Sequence, residues 1–392
     1  MHPVTSTSGF VGLFDNCTAC PAFTACGGAR TAPCGCAWKA ASGFRHKCSV
    51  CPLVCRDRRE PGPNGSEYRF ENYLAEGRFL EQLAVQQRKQ ELFPLYVPLL
   101  TQFNQKYQTL PVRWAAASVN TLLNSPKHLS ATLKKSFNSE TSARQFLSIK
   151  DGCDLWAIFN GKDSQLESMW GMGRAERSEM FSHLNDIGFS LATSATFSIS
   201  DLTHRRTPMP QAHNVVMQTR HHQVSHELQT AGLNSVPNIY WRDGERTDIH
   251  RWARWLVENP DVQTISRDFT STRRLPTALA KMNELMQLLE LAERTFHIII
   301  VGTGVISAPK LMQTLNRKGH TATIVTSAPI YDAGKCAVRY EFDDTESGII
   351  KIKDGDTPRS ELILNNMQIF EQMLINGVNQ EIGTNKFLRN IL

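Results

Sequence analysis

The sequence has no uninterrupted apolar run of about 18 residues or more. Its greasiest stretch, HIIIVGTGVI, is too short to cross a bilayer. The start, MHPVTSTSGFVGLF, lacks a basic stretch followed by a long apolar segment, so no secretory signal is expected. No internal repeat and no low-complexity tract stands out. Cysteine is nearly absent after residue 55: of ten in the chain, only Cys153 and Cys336 lie beyond it. Together these absences argue against a membrane-spanning or exported chain and point to the cytoplasm, where thiols stay reduced and a cysteine cluster reads as a metal site rather than a disulfide framework.

What is present at the front is dense. Cys17, Cys20, Cys26, Cys34, Cys36, Cys48, Cys51 and Cys55 fall in a segment with few large aliphatics, so they are not core filler. Two triplets, Cys17-x2-Cys20-x5-Cys26 and Cys48-x2-Cys51-x3-Cys55, flank the pair Cys34-x-Cys36, and the eight divide into two four-thiolate sets. Zinc takes four thiolates, usually as two separated C-x2-C pairs. Iron–sulfur clusters favour a compact triplet plus a remote ligand, often with proline after a cysteine. Cys20-Pro21 and Cys51-Pro52 suit an iron–sulfur cluster, with zinc as the alternative. The C-x2-C-x3-C order reverses the C-x3-C-x2-C run of radical S-adenosylmethionine enzymes, which counts against that chemistry.

Charge is uneven. Residues 1–150 carry 18 Lys+Arg against 9 Asp+Glu, and the remainder 25 against 28. A basic front fits contact with nucleic acid, but also fits a plain solvated surface. Periodicity divides the chain into a cysteine-rich metal-binding module over 1–60, a mostly helical connecting region over 61–150, a barrel over 151–330 and a C-terminal extension over 331–392. An amphipathic helix is expected over 68–91, broken by Pro94 and Pro98. From 151, strands expected near 154–160, 188–198, 235–241, 262–269, 295–304 and 321–327 alternate with helices near 211–231, 248–258, 276–293 and 307–318. Gly232 and Gly319 stand where C-cap glycines belong. The tail reads as a loop or hairpin and a helix over 359–376. Such alternation means βαβ units with parallel strands. The fold class is α/β, and a (β/α) TIM-like barrel, one or two strands short of complete, is favoured over a doubly wound sheet. The reason is that strand after strand ends in polar residues, which a barrel gathers at one mouth.

Those strand ends supply the candidates. Asp201, followed by His204, Arg205 and Arg206, offers an acid/base group beside an anion clamp, or a helix cap on a basic loop. Arg267 and Asp268 are adjacent on a strand, so at most one of them lines the mouth. Arg242, Asn160 and Thr303 complete the set, and Trp241 is either a stacking platform or packed core. Gly302, Thr303 and Gly304 would let backbone N–H groups approach a phosphate, although no third glycine completes a dinucleotide fingerprint. His221, His222 and His226 give an i, i+4 pair on a helix, a spacing that suits a metal, but without a Glu placed for a protease motif a solvated helix face is expected.

The stretch SISD at 198–201, AGLNSVPNIYWRD, TISRDF and HIIIVGTG together resemble the domain-of-unknown-function family 4417, barrels associated with phages and mobile elements. The resemblance covers about 155–330, and the cysteine-rich front lies outside it. It implies a barrel and a mobile-element setting without supplying a reaction. The expectation is a metal-containing barrel enzyme acting on a nucleotide or nucleic acid. The alternatives are a non-enzymatic nucleic-acid- or protein-binding factor, and a base-exchanging transglycosylase-like enzyme with Asp201 and Asp268 as its two carboxylates.

Overall fold

The computed structural model describes residues 87, 93–100, 109–124, 131–161, 163–197, 199, 211–241, 246–272, 274–342 and 348–389. The eight cysteines between 17 and 55 lie outside these residues, as do Asp201, His204, Arg242 and, apart from Gln87, the helix expected over 68–91. The chain divides into two compact units, Met1–Ala84 with Thr196–Val224, and Val85–Ala195 with Ser225–Leu392.

The second unit holds a parallel eight-stranded sheet: β1 Tyr96–Leu100, β2 Trp114–Ser118, β3 Asp154–Ile158, β4 Phe189–Thr193, β5 Asn234–Val236, β6 Thr264–Asp268, β7 His297–Val301 and β8 Thr321–Thr326. Their order is β5-β4-β3-β2-β1-β8-β7-β6, every pair parallel. The two outermost strands are joined just past β5 by a parallel bridge between Asn238 and Ser266. Chain order therefore runs around a nearly closed ring, as in a (β/α)8 barrel.

Parallel neighbours need long crossovers, which helices supply. After β2 come α1 (Val119–Leu122) and α2 (Glu140–Leu147), and after β3 come α3 (Asp163–Gly171) and α4 (Gly173–Asp186). Then α5 (Gln211–Thr230), α6 (Arg246–Glu258), α7 (Leu275–Leu291) and α8 (Ser307–Asn316) each follow one strand. After β8, α9 (Ala328–Cys336) leads to an antiparallel hairpin, β9 (Val338–Glu341) and β10 (Ile350–Lys353), and then to α10 (Arg359–Arg389). Gly232 and Gly319 lie just past helix ends at φ +91° and +83°, as expected. The buried Asn366 of α10 accepts from Tyr340 N–H and donates to the carbonyls of Pro329 and Val338, tying helix, hairpin and α9 together.

The six strands expected from the sequence are β3 to β8. The two uncounted ones, β1 and β2, come from the segment read as a helical connecting region. Proline has no N–H to give a ladder, so YVPLL reads as a breaker, yet Pro98 sits in β1 level with Thr326. WAAAS lacks the β-branched residues that mark strands. Its small side chains nonetheless suit a crowded interior, where Ala116 packs with Trp156.

The barrel core takes one or more apolar residues from seven strands, among them Val97, Ala116, Ile158, Leu191, Val236, Ile299 and Val325. The exception is β6. Register places Thr264 level with His297, Ser266 with Ile299 and Asp268 with Val301, so its inward row is polar. Its outward Arg267 is buried instead against the outside of the barrel, with Nη1 donating to Ile239 O and the guanidinium 3.7 Å from the centre of the Trp241 ring. At the N-terminal end Phe93 stacks on His297, with ring centroids 3.8 Å apart.

The seam between β5 and β6 is thin because Pro237 ends β5 after three residues. Below the Asn238–Ser266 bridge a side chain replaces the missing ladder. Gln87 Nε2 donates to Ser235 O and Thr264 O, while its Oε1 accepts from Gln263 N and Thr264 N.

Candidate functional site

Active sites of (β/α) barrels form at the C-terminal ends of the strands. Two adjacent groups of polar side chains occupy that end here. The first joins β3 to β5. Asn160, two residues beyond Ile158, accepts at Oδ1 from Thr193 Oγ1 at 3.3 Å and from Asn238 Nδ2 at 2.7 Å. Asn238 Nδ2 also donates to Ser194 O, and Phe159 N–H donates to Thr193 Oγ1. Asn160 Nδ2 is buried and has no hydrogen-bond partner among the described residues. The turn that presents Asn160 is tight. A Cβ on the next residue, Gly161, would stand 2.3 Å from Val119 Cγ1.

The second group lies on β6 to β8. Asp268 Oδ1 accepts from the N–H and hydroxyl of Thr270. That is the bond pattern of an Asx turn, and it holds one carboxylate oxygen while leaving the other without a described partner. Gly302 has φ +81° and donates its N–H to Val325 O. A Cβ there would lie 2.4 Å from Thr270 Cγ2 and 3.0 Å from its Cα, so the glycine is required by backbone shape and by the approach of the Asp268 loop. Thr303 O accepts from Thr326 Oγ1, and Thr303 Oγ1 is buried without a hydrogen-bond partner among the described residues. Space for a side chain is open at Gly304. The Gly302-Thr303-Gly304 turn thus has a packing role at Gly302, and only Gly304 is open enough for a ligand to approach. Ser266 links the two groups: it bridges Asn238 and lies two residues before Asp268 on the same inward row.

Of the residue pair Arg267 and Asp268, it is Asp268 that belongs to the mouth. Trp241 is packed: it carries Arg267 on its face and donates Nε1–H to Glu284 Oε2 at 2.7 Å. His221 and His222 do not lie on a solvated helix face. His221 is fully buried and His222 is 9% exposed. Burial, with His222 alongside, holds His221 well below its ordinary pKa. No cluster of three or more His, Cys, Asp or Glu side chains suited to a metal occurs among the described residues. No described helix is long and apolar enough to cross a membrane.

Asn238 is the site residue that sequence reasoning missed. It follows a proline within SVPNIYW, where alternation assigns a single long strand. The proline stops the strand and turns Asn238 into the mouth. The polar alternation Thr264, Ser266, Asp268 within TISRD was the available signal that this strand lines a site. No protein-family model matches the chain, and no curated protein matches it.

Proposed function

We propose that the chain is a barrel enzyme acting on a nucleotide or nucleic acid in the cytoplasm, in a phage or mobile-element setting. The eight cysteines from Cys17 to Cys55 hold its metal, an iron–sulfur cluster or alternatively zinc. Asp268 is the acid/base group, with one oxygen fixed by Thr270 and the other turned to substrate. Asp201, His204 and Arg242, named by the sequence as further acid/base and anion-binding groups, lie outside the described residues. A phosphate is received at Gly304. The observation that carries this reading is the inward polar row of β6, whose Ser266 bridges Asn238, the partner of Asn160, and whose last residue is Asp268. Buried polar groups without partners are costly in a scaffold and expected in a binding site.

The test is to incubate the anaerobically purified full chain with RNA and DNA oligonucleotides, digest them, and search the nucleosides by mass spectrometry for an altered species. Asp268→Asn is expected to lower that activity by about 10² to 10⁴-fold without lowering the melting temperature. Unaltered nucleosides throughout, or full activity in Asp268→Asn, would remove the enzyme reading or this residue from it. Iron with acid-labile sulfide in the same preparation supports the cluster, and stoichiometric zinc in colourless protein removes it. A second reading, a non-enzymatic nucleic-acid- or protein-binding factor, draws on the same Asx turn, since Thr270 uses Asp268 as a turn former does.

A further inference from the structure

Two backbone groups fix the polarity of the Asn160 amide. Amide nitrogen and oxygen are otherwise told apart only by their partners. The carbonyl of Ser194 can only accept, so the Asn238 atom facing it is Nδ2. The same Nδ2 lies 2.7 Å from Asn160, which therefore meets it with Oδ1. On the other side, the N–H of Phe159 can only donate, and it bonds Thr193 Oγ1 at 3.1 Å. The Thr193 hydroxyl hydrogen is then left for Asn160 Oδ1, 3.3 Å away. Both acceptor positions of Oδ1 are thus taken. What Asn160 has left is a pair of N–H donors on Nδ2, buried and without a partner among the described residues.

We propose that Asn160 is a ligand-binding residue that selects a keto base, guanine or uracil, over an amino base. This rests on the reading of the barrel mouth as a nucleotide site. The usual pairing of asparagine with adenine needs the amide to donate and accept at once. Asn160 cannot accept, so that pairing is closed to it. On the edge that carries the 6-substituent of a purine or the 4-substituent of a pyrimidine, acceptors alone fit: guanine presents O6 and N7, and uracil presents O4, whereas adenine and cytosine place an amino donor there. Asn238 and Thr193 act as positioning residues that hold the amide in this one orientation.

The experiment is equilibrium dialysis of the full chain against the 5′-monophosphates of guanosine, uridine, adenosine and cytidine, which share their phosphate and sugar. The wild type is expected to bind the guanosine and uridine compounds about tenfold or more tighter than the other two. Asn160→Asp keeps an oxygen toward Thr193 and Asn238 and replaces the donor with an acceptor, so it should abolish that preference. Equal binding of all four by the wild type, or a preference that survives in Asn160→Asp, overturns the inference and leaves the nucleotide reading standing. Binding of none of the four removes both. If Asn160→Asp does not fold, the wild-type preference decides alone.

Discussion

Asp268 and His297 lie at opposite ends of two adjacent strands, and their surroundings give them opposite duties. Asp268 closes β6 at the mouth, with described hydrogen bonds on one carboxylate oxygen only. His297 opens β7 at the far end, stacked on Phe93, with Nδ1 2.8 Å from Thr321 Oγ1 and Nε2 3.0 Å from Thr323 Oγ1. Burial pushes its pKa down to about 3 from the ordinary 6.5. The imidazole therefore stays neutral in the folded barrel while the unfolded chain takes up a proton below pH 6.5. Stability is expected to be insensitive to this group above that pH. It should fall as pH drops toward about 3, by up to about 1.4 kcal/mol per pH unit. Urea unfolding of wild type and His297→Gln at a series of pH values checks this, and the variant should show a shallower decline. Neither residue type announces such a role: a histidine at the start of HIIIV looks like a polar flank until register shows that it points inward.

Among the elements, α4 and α5 are held by charge as well as by packing. Arg177 and Glu227 form a two-bond pair, Nε to Oε2 and Nη2 to Oε1, both 2.9 Å, with side chains 2% and 1% exposed. Arg177 Nη1 also donates to Trp170 O, and the guanidinium covers the Trp170 ring. Removing one partner of a buried pair leaves the other charge uncompensated. Glu227→Gln should destabilise the protein by about 3 kcal/mol, and Arg177→Met with Glu227→Leu together should recover much of the loss; chemical denaturation of the three variants measures both. This pair was not legible in the sequence, because its members stand fifty residues apart on helices of modest amphipathicity. The later strands were legible for the opposite reason. HIIIV and TATIVT state their burial within five or six residues, whereas β1 hides behind a proline and β2 behind three alanines.

For the barrel as a whole, periodicity carried the architecture and could not carry the closure. A ring of eight parallel strands follows from alternating strands and helices. Where it is weakest depends on Pro237 and on a glutamine nearly 150 residues earlier in the chain. Gln87→Leu should cost about 1 to 3 kcal/mol locally. The loss should appear first as faster hydrogen exchange at the Gln263 and Thr264 amides, with β7 and β8 amides little changed.

The short β5 has a consequence for measurement. Ile239 N–H and Ser266 N–H, which bond to Ser266 O and Pro237 O, flank Asn238, the same residue that orients Asn160. Any occupant that tightens the amide pair must slow the exchange of these two protons. The protein therefore carries a built-in reporter, and a library of compounds can be sorted by two peaks in a spectrum before any reaction is known.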